Sequence, residues 1–197
     1  MKNYDYDYEW DKEYCYPESK VLINKLNIED LEKLNIAEKE ITALKLAYIK
    51  KNPIDGKFDF DHLKAIHRFL FEDIYLWAGE PRHVNISKGN QFCLWQNIDE
   101  YAESIFKELK NESYLIGSDK IEHRLAYYLS EINVLHPFRE GNGRTQRLFI
   151  EYLAENAGYH VDFSSVTPRE MIEASAESFA CKYEKINSMF ECITHKK

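Results

Sequence analysis

Twelve consecutive residues, His136-Pro137-Phe138-Arg139-Glu140-Gly141-Asn142-Gly143-Arg144-Thr145-Gln146-Arg147, gather side chains that together can handle a polyphosphate. Gly141 and Gly143 allow a tight turn with exposed amides, and those amides open the helix that follows, whose dipole favours an anion. Arg144 and Arg147 stand three residues apart at the start of that helix, so they occupy neighbouring positions and could both reach a chain of phosphates. Glu140 offers a hard carboxylate beside the cradle, suited to a magnesium ion that keeps waters and phosphate oxygens in its shell. His136 adds a base, because an imidazole of ordinary basicity is neutral near pH 7 and can take a proton. Taken singly, each feature has an ordinary structural use: a histidine caps helices, a Gly-Asn-Gly turn joins them, and two arginines can be a solvated face. Phe138 has no reactive group and is expected to pin the loop to the core.

The stretch resembles the signature of the Fic family, His-x-Phe-x-Asp/Glu-Gly-Asn-Gly-Arg-x-x-Arg, at every fixed position. The pattern is also similar over roughly residues 15 to 180, through the helix before the motif, Trp77-Ala78-Gly79 and a hairpin. The resemblance implies a domain in which that hairpin, the flap, lies beside the active site, and an enzyme that moves AMP from ATP to a tyrosine, serine or threonine hydroxyl of a target protein. His136 would be the catalytic base and Glu140 the magnesium ligand. Gly141, Asn142, Gly143, Arg144 and Arg147 would hold the nucleotide's phosphates. Lys88, Gly89, Asn90 and Phe92 would be the flap positions that dock the target's main chain by strand addition; a hairpin that merely covers the core is the competing expectation.

Relatives are often restrained by an inhibitory helix of pattern Ser/Thr-x-x-x-Glu-Gly/Asn, whose glutamate pairs with the second motif arginine, here Arg147. Ser118 and Glu122 have the spacing, but His123 stands where glycine or asparagine is expected. The resemblance therefore points to a toxin whose inhibitory glutamate comes from a separate small antitoxin. Two other functions stay open: transfer of another nucleotide or phosphate-containing group, and a silent module that binds nucleotide and peptide. Relatives that transfer phosphate replace the second glycine by lysine, whereas Gly143 is retained here.

The elements that must position these residues read as an all-α helical bundle with one small β-hairpin. Helical stripes run through Ile41, Leu44 and Tyr48; through Leu63, Ile66, Leu70, Ile74 and Trp77; through Ile98, Tyr101, Ala102, Ile105, Phe106 and Leu109; and through Ile121, Leu125, Tyr128, Leu129, Ile132 and Leu135 into His136. Leu148, Phe149, Tyr152 and Leu153 restart the pattern after the glycines, with a stop expected at Gly158. Thr167, Pro168 and Glu170 form a capping-box start for another helix running toward Phe179. Arg82 to Leu94, about residues 82–94, alternates apolar and polar around Lys88-Gly89-Asn90 and reads as the hairpin. Residues 1–20 carry Tyr4, Tyr6, Tyr8, Trp10, Tyr14 and Tyr16 without period and are expected to form a surface arm, leaving 21–197 as the Fic-like domain. His62 and His67 lack the glutamate pattern of a zinc hydrolase and are assigned to core or surface.

A chain of 197 residues with 44% apolar residues suits one compact domain. Its 26 basic and 34 acidic residues give a net charge of -8, which speaks against direct binding to nucleic acid or anionic lipid. Any phosphate must be held by a local site. Cys15, Cys93, Cys181 and Cys192 have no paired spacing, so neither zinc nor a disulfide framework is expected. No apolar run could span a membrane, and the expected location is cytoplasmic, with delivery into another cell open.

Overall fold

The computed structural model describes residues 13–197 and, before them, the backbone of a two-residue strand, Asp7–Tyr8 (β1). Tyr4, Tyr6 and Trp10 of the expected arm lie outside the described residues. The fold is mostly helical. Helix α1 (Leu31–Ile49) is capped by Asp30 and α2 (Phe60–Phe71) by Asp59, each carboxylate accepting an otherwise unpaired first-turn amide. The flap follows as β2 (Ile86–Lys88) and β3 (Asn90–Gln91), antiparallel, with Lys88 opposite Asn90 and Gly89 alone at the turn. Gly89 has φ 77, a left-handed backbone that glycine adopts without steric cost. β1 pairs antiparallel with β2, Tyr8 opposite Ile86, so β2 is the middle strand of three.

Helices α3 (Ile98–Asn111), α4 (Ile121–Leu135) and α5 (Asn142–Asn156) bury the apolar stripes seen in the sequence. Leu125, Ile132, Phe149 and Leu153 are sealed from solvent where α4 and α5 meet, with Leu63, Ile66 and Leu70 of α2 completing the core. Burial of such side chains contributes roughly 1.5–3 kcal/mol each. Gly158 takes the left-handed backbone after α5, as its place in the sequence predicts. Helix α6 (Pro168–Phe179) starts with the expected capping box, Thr167 and Glu170 bonding each other's main chain. Its partner α7 (Glu184–Ile193) runs into β5 (Thr194–Lys196), which pairs antiparallel with β4 (Tyr159–Val161) just after α5.

The stripe expected on α1 is corrected. Leu44 and Tyr48 are 74% and 58% exposed, while the inward positions are Leu34, Glu38, Thr42 and Ile49. That inner face recurs every three or four residues, as a core face must, but its middle is polar because it bonds an arginine of α5.

Candidate active site

The α4 helix ends where it does because Pro137 has no amide hydrogen to continue it. His136 closes the helix in a left-handed conformation, φ 42, with its amide donating to Ile132 O at 3.0 Å. A non-glycine residue there costs on the order of 1–3 kcal/mol and persists only where its surroundings over-determine it. They do. The His136 carbonyl accepts from Arg82 Nε at 2.9 Å, and its ring lies flat against Phe92 with centroids 3.7 Å apart. His136 Nδ1 is 3.2 Å from Asn133 O, and since a carbonyl only accepts, Nδ1 carries the proton. Nε2 is therefore the bare nitrogen. Burial above all, then the charges of Arg82 and Lys88, push the imidazolium down to about 3, so the ring is neutral at working pH.

The cleft beside it is lined by the motif residues His136, Gly143 and Arg147, by the flap residues Lys88, Asn90 and Phe92, and by Met171, Ser175 and Phe179 of α6. Arg147 has no hydrogen-bonding or ion-pair partner among the described residues, and burial with Arg144's charge depresses its basicity. Gly141 forms the N-terminal cap of α5 with no side chain satisfying the helix amides, so those of Asn142 and Gly143 are free to meet an anion. The Gly141 amide is taken, donating to Glu140 Oε1 at 2.8 Å. A side chain at Gly141 is excluded twice over, by φ 81 and by the Phe71 ring 2.2 Å from where its Cβ would sit.

Gln146 also lines the cleft, its Nε2 donating to Ile132 O at 3.3 Å, while Asn142 and Arg144 are engaged with the protein. Asn142 is buried and staples the loop, its Oδ1 accepting from Phe138 N at 2.9 Å and its Nδ2 donating to Phe138 O at 2.7 Å. Arg144 reaches back to α1, donating to Glu38 Oε1 at 2.5 Å and Thr42 Oγ1 at 3.0 Å, with its guanidinium 4.8 Å from the centre of the Phe71 ring. The two arginines expected to act side by side thus have different surroundings: Arg144 is held by α1, while Arg147 lines the cleft.

Three supporting residues were given no part in the site by the sequence. Glu38 holds Arg144 and accepts from Tyr75 Oη at 2.5 Å. His67, assigned to the core or surface, is fully buried and accepts the Gly79 amide on Nδ1 at 2.8 Å. Its Nε2 therefore carries the proton and donates to Glu140 O at 2.9 Å, while its ring stacks on Phe138 at 3.8 Å. Arg82, read only as the start of the hairpin, is 1% exposed and bonds three carbonyls. The available signals were His67's place among Leu63, Ile66 and Leu70, and an arginine next to a strand.

A magnesium ion fits this donor set. Glu140 Oε2 accepts no hydrogen bond among the described residues, Arg144 Nη2 is 3.7 Å from Oε1, and burial together with the Glu38 carboxylate raises the Glu140 pKa. That is a carboxylate short of positive charge. Among the described residues no group of three or more His, Cys, Asp or Glu side chains converges, so phosphate oxygens and waters would complete the shell.

Comparison with known proteins agrees with the geometry. Residues 57–154 match the model of the Fic/DOC family. Among full sequences, the chain is 41% identical over 156 residues to the probable protein adenylyltransferase Fic of Escherichia coli K12, covering 78% of this chain and 77% of that one. The chain belongs to the Fic/DOC family. It is 45% identical over 169 residues to protein adenylyltransferase VbhT of Bartonella schoenbuchensis, covering 84% of this chain but about a third, 35%, of that longer protein. Among solved structures, BepC of Bartonella tribocorum, a VirB-translocated effector with bound AMPPNP, superposes with a TM-score of 0.87 at 28% identity, covering 93% of this chain and 97% of that one. Fic architecture is therefore the frame for the open cleft.

Proposed function

We propose that this Fic domain is a protein adenylyltransferase that moves AMP from ATP to a tyrosine, serine or threonine hydroxyl of a target protein. The observation that carries the reading is the pairing of a neutral His136 with Arg147 in one cleft beside an uncapped helix N-terminus, His136 Nε2 and the Arg147 guanidinium both without a partner among the described residues. The names of the relatives and the AMPPNP in BepC support ATP as the donor.

The target hydroxyl oxygen attacks the α-phosphorus, the bond from that phosphorus to the β-phosphate bridging oxygen breaks, and pyrophosphate departs. His136 Nε2 takes the hydroxyl proton and later yields it to solvent. The α5 amides and Arg147 hold the phosphates in line, which is most of what phosphoryl chemistry asks of a protein. Arg144 reaches the same phosphates only by giving up its Glu38 pair, so its first task is to fix the loop. Glu140 would hold magnesium, which neutralises charge on the departing phosphates when bound.

Because β1 already pairs with β2, a target strand would add at β3, whose outer edge no described strand occupies. Regulation as a toxin with a separate antitoxin rests on Arg147: a glutamate from another chain would find no acidic side chain already paired with it. Glu122 lies in the first turn of α4 and does not serve. Delivery into another cell follows the description of the Bartonella relatives as VirB-translocated; no described helix is long and apolar enough to cross a membrane.

Transfer of label from α-labelled ATP with magnesium to proteins of a cell lysate tests the activity, with His136→Ala alongside and GTP, CTP and UTP as competitors. Bands that vanish in the variant and under excess unlabelled ATP are expected. A wild type that binds AMPPNP yet transfers no label would make the domain a binding module.

A further inference from the structure

We propose that Arg82 is a positioning residue that clamps both legs of the flap to the backbone of the catalytic base, and so sets where a target hydroxyl meets His136. The inference rests on the adenylyl-transfer reading of the same cleft.

The Arg82 side chain is 1% exposed and meets no carboxylate among the described residues. Its three guanidinium nitrogens go to three main-chain carbonyls on three different segments. Nη1 donates to Val84 O at 2.6 Å on the leg entering the flap, Nη2 to Cys93 O at 2.5 Å on the leg leaving it, and Nε to His136 O at 2.9 Å. Two main-chain bonds complete the ring: Arg82 N donates to Pro137 O at 2.8 Å and Cys93 N to Val134 O at 2.9 Å. The base of the flap therefore grips the chain on either side of His136. Burying a guanidinium without a countercharge is costly, and the rigid planar fork of arginine, spread over three carbonyls, fixes their places relative to one another. Trp95 N also donates to Asn85 Oδ1 at 3.1 Å, joining the two legs to each other, but the Arg82 side chain joins both legs to the His136 backbone.

What the clamp fixes is the height of the flap over the base. Phe92, one residue before the Cys93 carbonyl, lies 3.7 Å above the His136 ring, and Lys88 and Asn90 reach the cleft from the same hairpin. A target strand laid on β3 inherits that register. On the adenylyl-transfer reading the nucleotide's phosphates would meet the first amides of α5 and Arg147, none of which bonds Arg82 among the described residues. Loosening Arg82 should therefore spare nucleotide binding and spoil the transfer, where a displacement of about 1 Å costs on the order of 10²-fold.

Arg82→Lys keeps the charge and stem but offers one nitrogen in place of three. Its affinity for AMPPNP with magnesium, measured by calorimetry, should stay within about twofold of wild type, while label transfer from α-labelled ATP to lysate proteins falls on the order of 10²-fold. Amide hydrogens of residues 86–92 should exchange faster while those of α4 and α5 keep their protection. In the unaltered protein, the Arg82 Nε–H should give a slowly exchanging NMR resonance. Unchanged transfer, an equal loss of AMPPNP affinity, unchanged flap exchange, or a rapidly exchanging Nε–H in the wild type would each overturn the clamp. Should wild type bind AMPPNP but transfer no label, adenylyl transfer fails as a reading, and the exchange and NMR measurements still judge Arg82 on their own.

Discussion

Arg144 and Arg147 come from one helical turn of one motif and end in opposite circumstances. Arg144 is tied to Glu38 and Thr42 on α1, over the Phe71 ring, while Arg147 faces the cleft with no described partner. The same division runs through the whole loop. Asn142, His67 and Arg82 are tied down by main-chain bonds, whereas His136 Nε2 and the first amides of α5 have no partner among the described residues. Saturated groups hold the loop still; bare groups are what a substrate can find. Preorganised donors cost no reorganisation when the reaction charge develops, so stillness on one side serves chemistry on the other.

The sharpest way to break that comparison is to remove each arginine. Arg147→Ala should lower label transfer by about 10²–10³-fold through lost phosphate contacts, with the thermal midpoint nearly unchanged, because no described partner is orphaned. Arg144→Ala should do the reverse in stability, costing about 2–3 kcal/mol in urea unfolding by leaving the Glu38 carboxylate buried without its cation, the low end of such losses because Arg144 is 23% exposed. Glu38→Gln together with Arg144→Ala should cost less than the sum of the two single changes, since each breaks the same pair. Equal stability losses at both arginines would erase the distinction.

How far the sequence disclosed this division depends on the kind of signal. Apolar stripes on α2, α3, α4 and α5 were legible because burial of Leu63, Ile105, Leu125 or Phe149 follows from period alone. The hairpin and the capping box of α6 were legible because glycine, proline and threonine have local conformational reasons to be where they are. The motif's residue types suggested a chemistry, but the partners that hold them could not be read. Glu38 lies more than a hundred residues from Arg144 in the chain, and a polar inner face on α1 leaves no hydropathy pattern to follow. His67 and Arg82 look like any polar residue beside a core until the carbonyls they bond are in place. Helix α7 does carry a helical period, in Ile186, Met189, Phe190 and Ile193, that the reading of the sequence passed over, whereas the β4–β5 pairing, with Thr194, His195 and Lys196 in the strand, gave no periodic sign.

Acid should probe both sides at once, with a smaller effect. Burial holds His67 and His136 down to about 3 in the fold, against about 6.5 in an unfolded chain. Below 6.5 the unfolded chain takes up protons that the fold refuses, so stability present at pH 7 is lost as pH falls from 6.5 toward 3. Each histidine contributes at most about 1.4 kcal/mol per pH unit in that window. Glu140 and Glu151, whose basicity burial raises, bind protons preferentially in the fold and oppose the loss as they titrate. Urea midpoints should therefore fall between pH 7 and pH 5, and His136→Ala should make the fall shallower. The transfer rate should show no acid limb near 6.5; a limb there would mean the His136 ring is solvated in the working enzyme.

The smallest effect belongs to the outer face of α1, where hydropathy suggested a core. Leu44 is 74% exposed, so Leu44→Gln removes little buried surface and should change unfolding free energy by less than about 0.5 kcal/mol. Thr42→Val, two residues away and nearly isosteric, buries no new apolar volume but deletes the acceptor of Arg144 Nη1, and should cost about 1–2 kcal/mol. An apolar residue that can be made polar freely, beside a polar one that cannot be made apolar, would place α1 as a support for the motif loop. If Leu44→Gln proved the more damaging of the two, α1 would be held by its apolar stripe after all, and the saturated side of the site would lose its foundation.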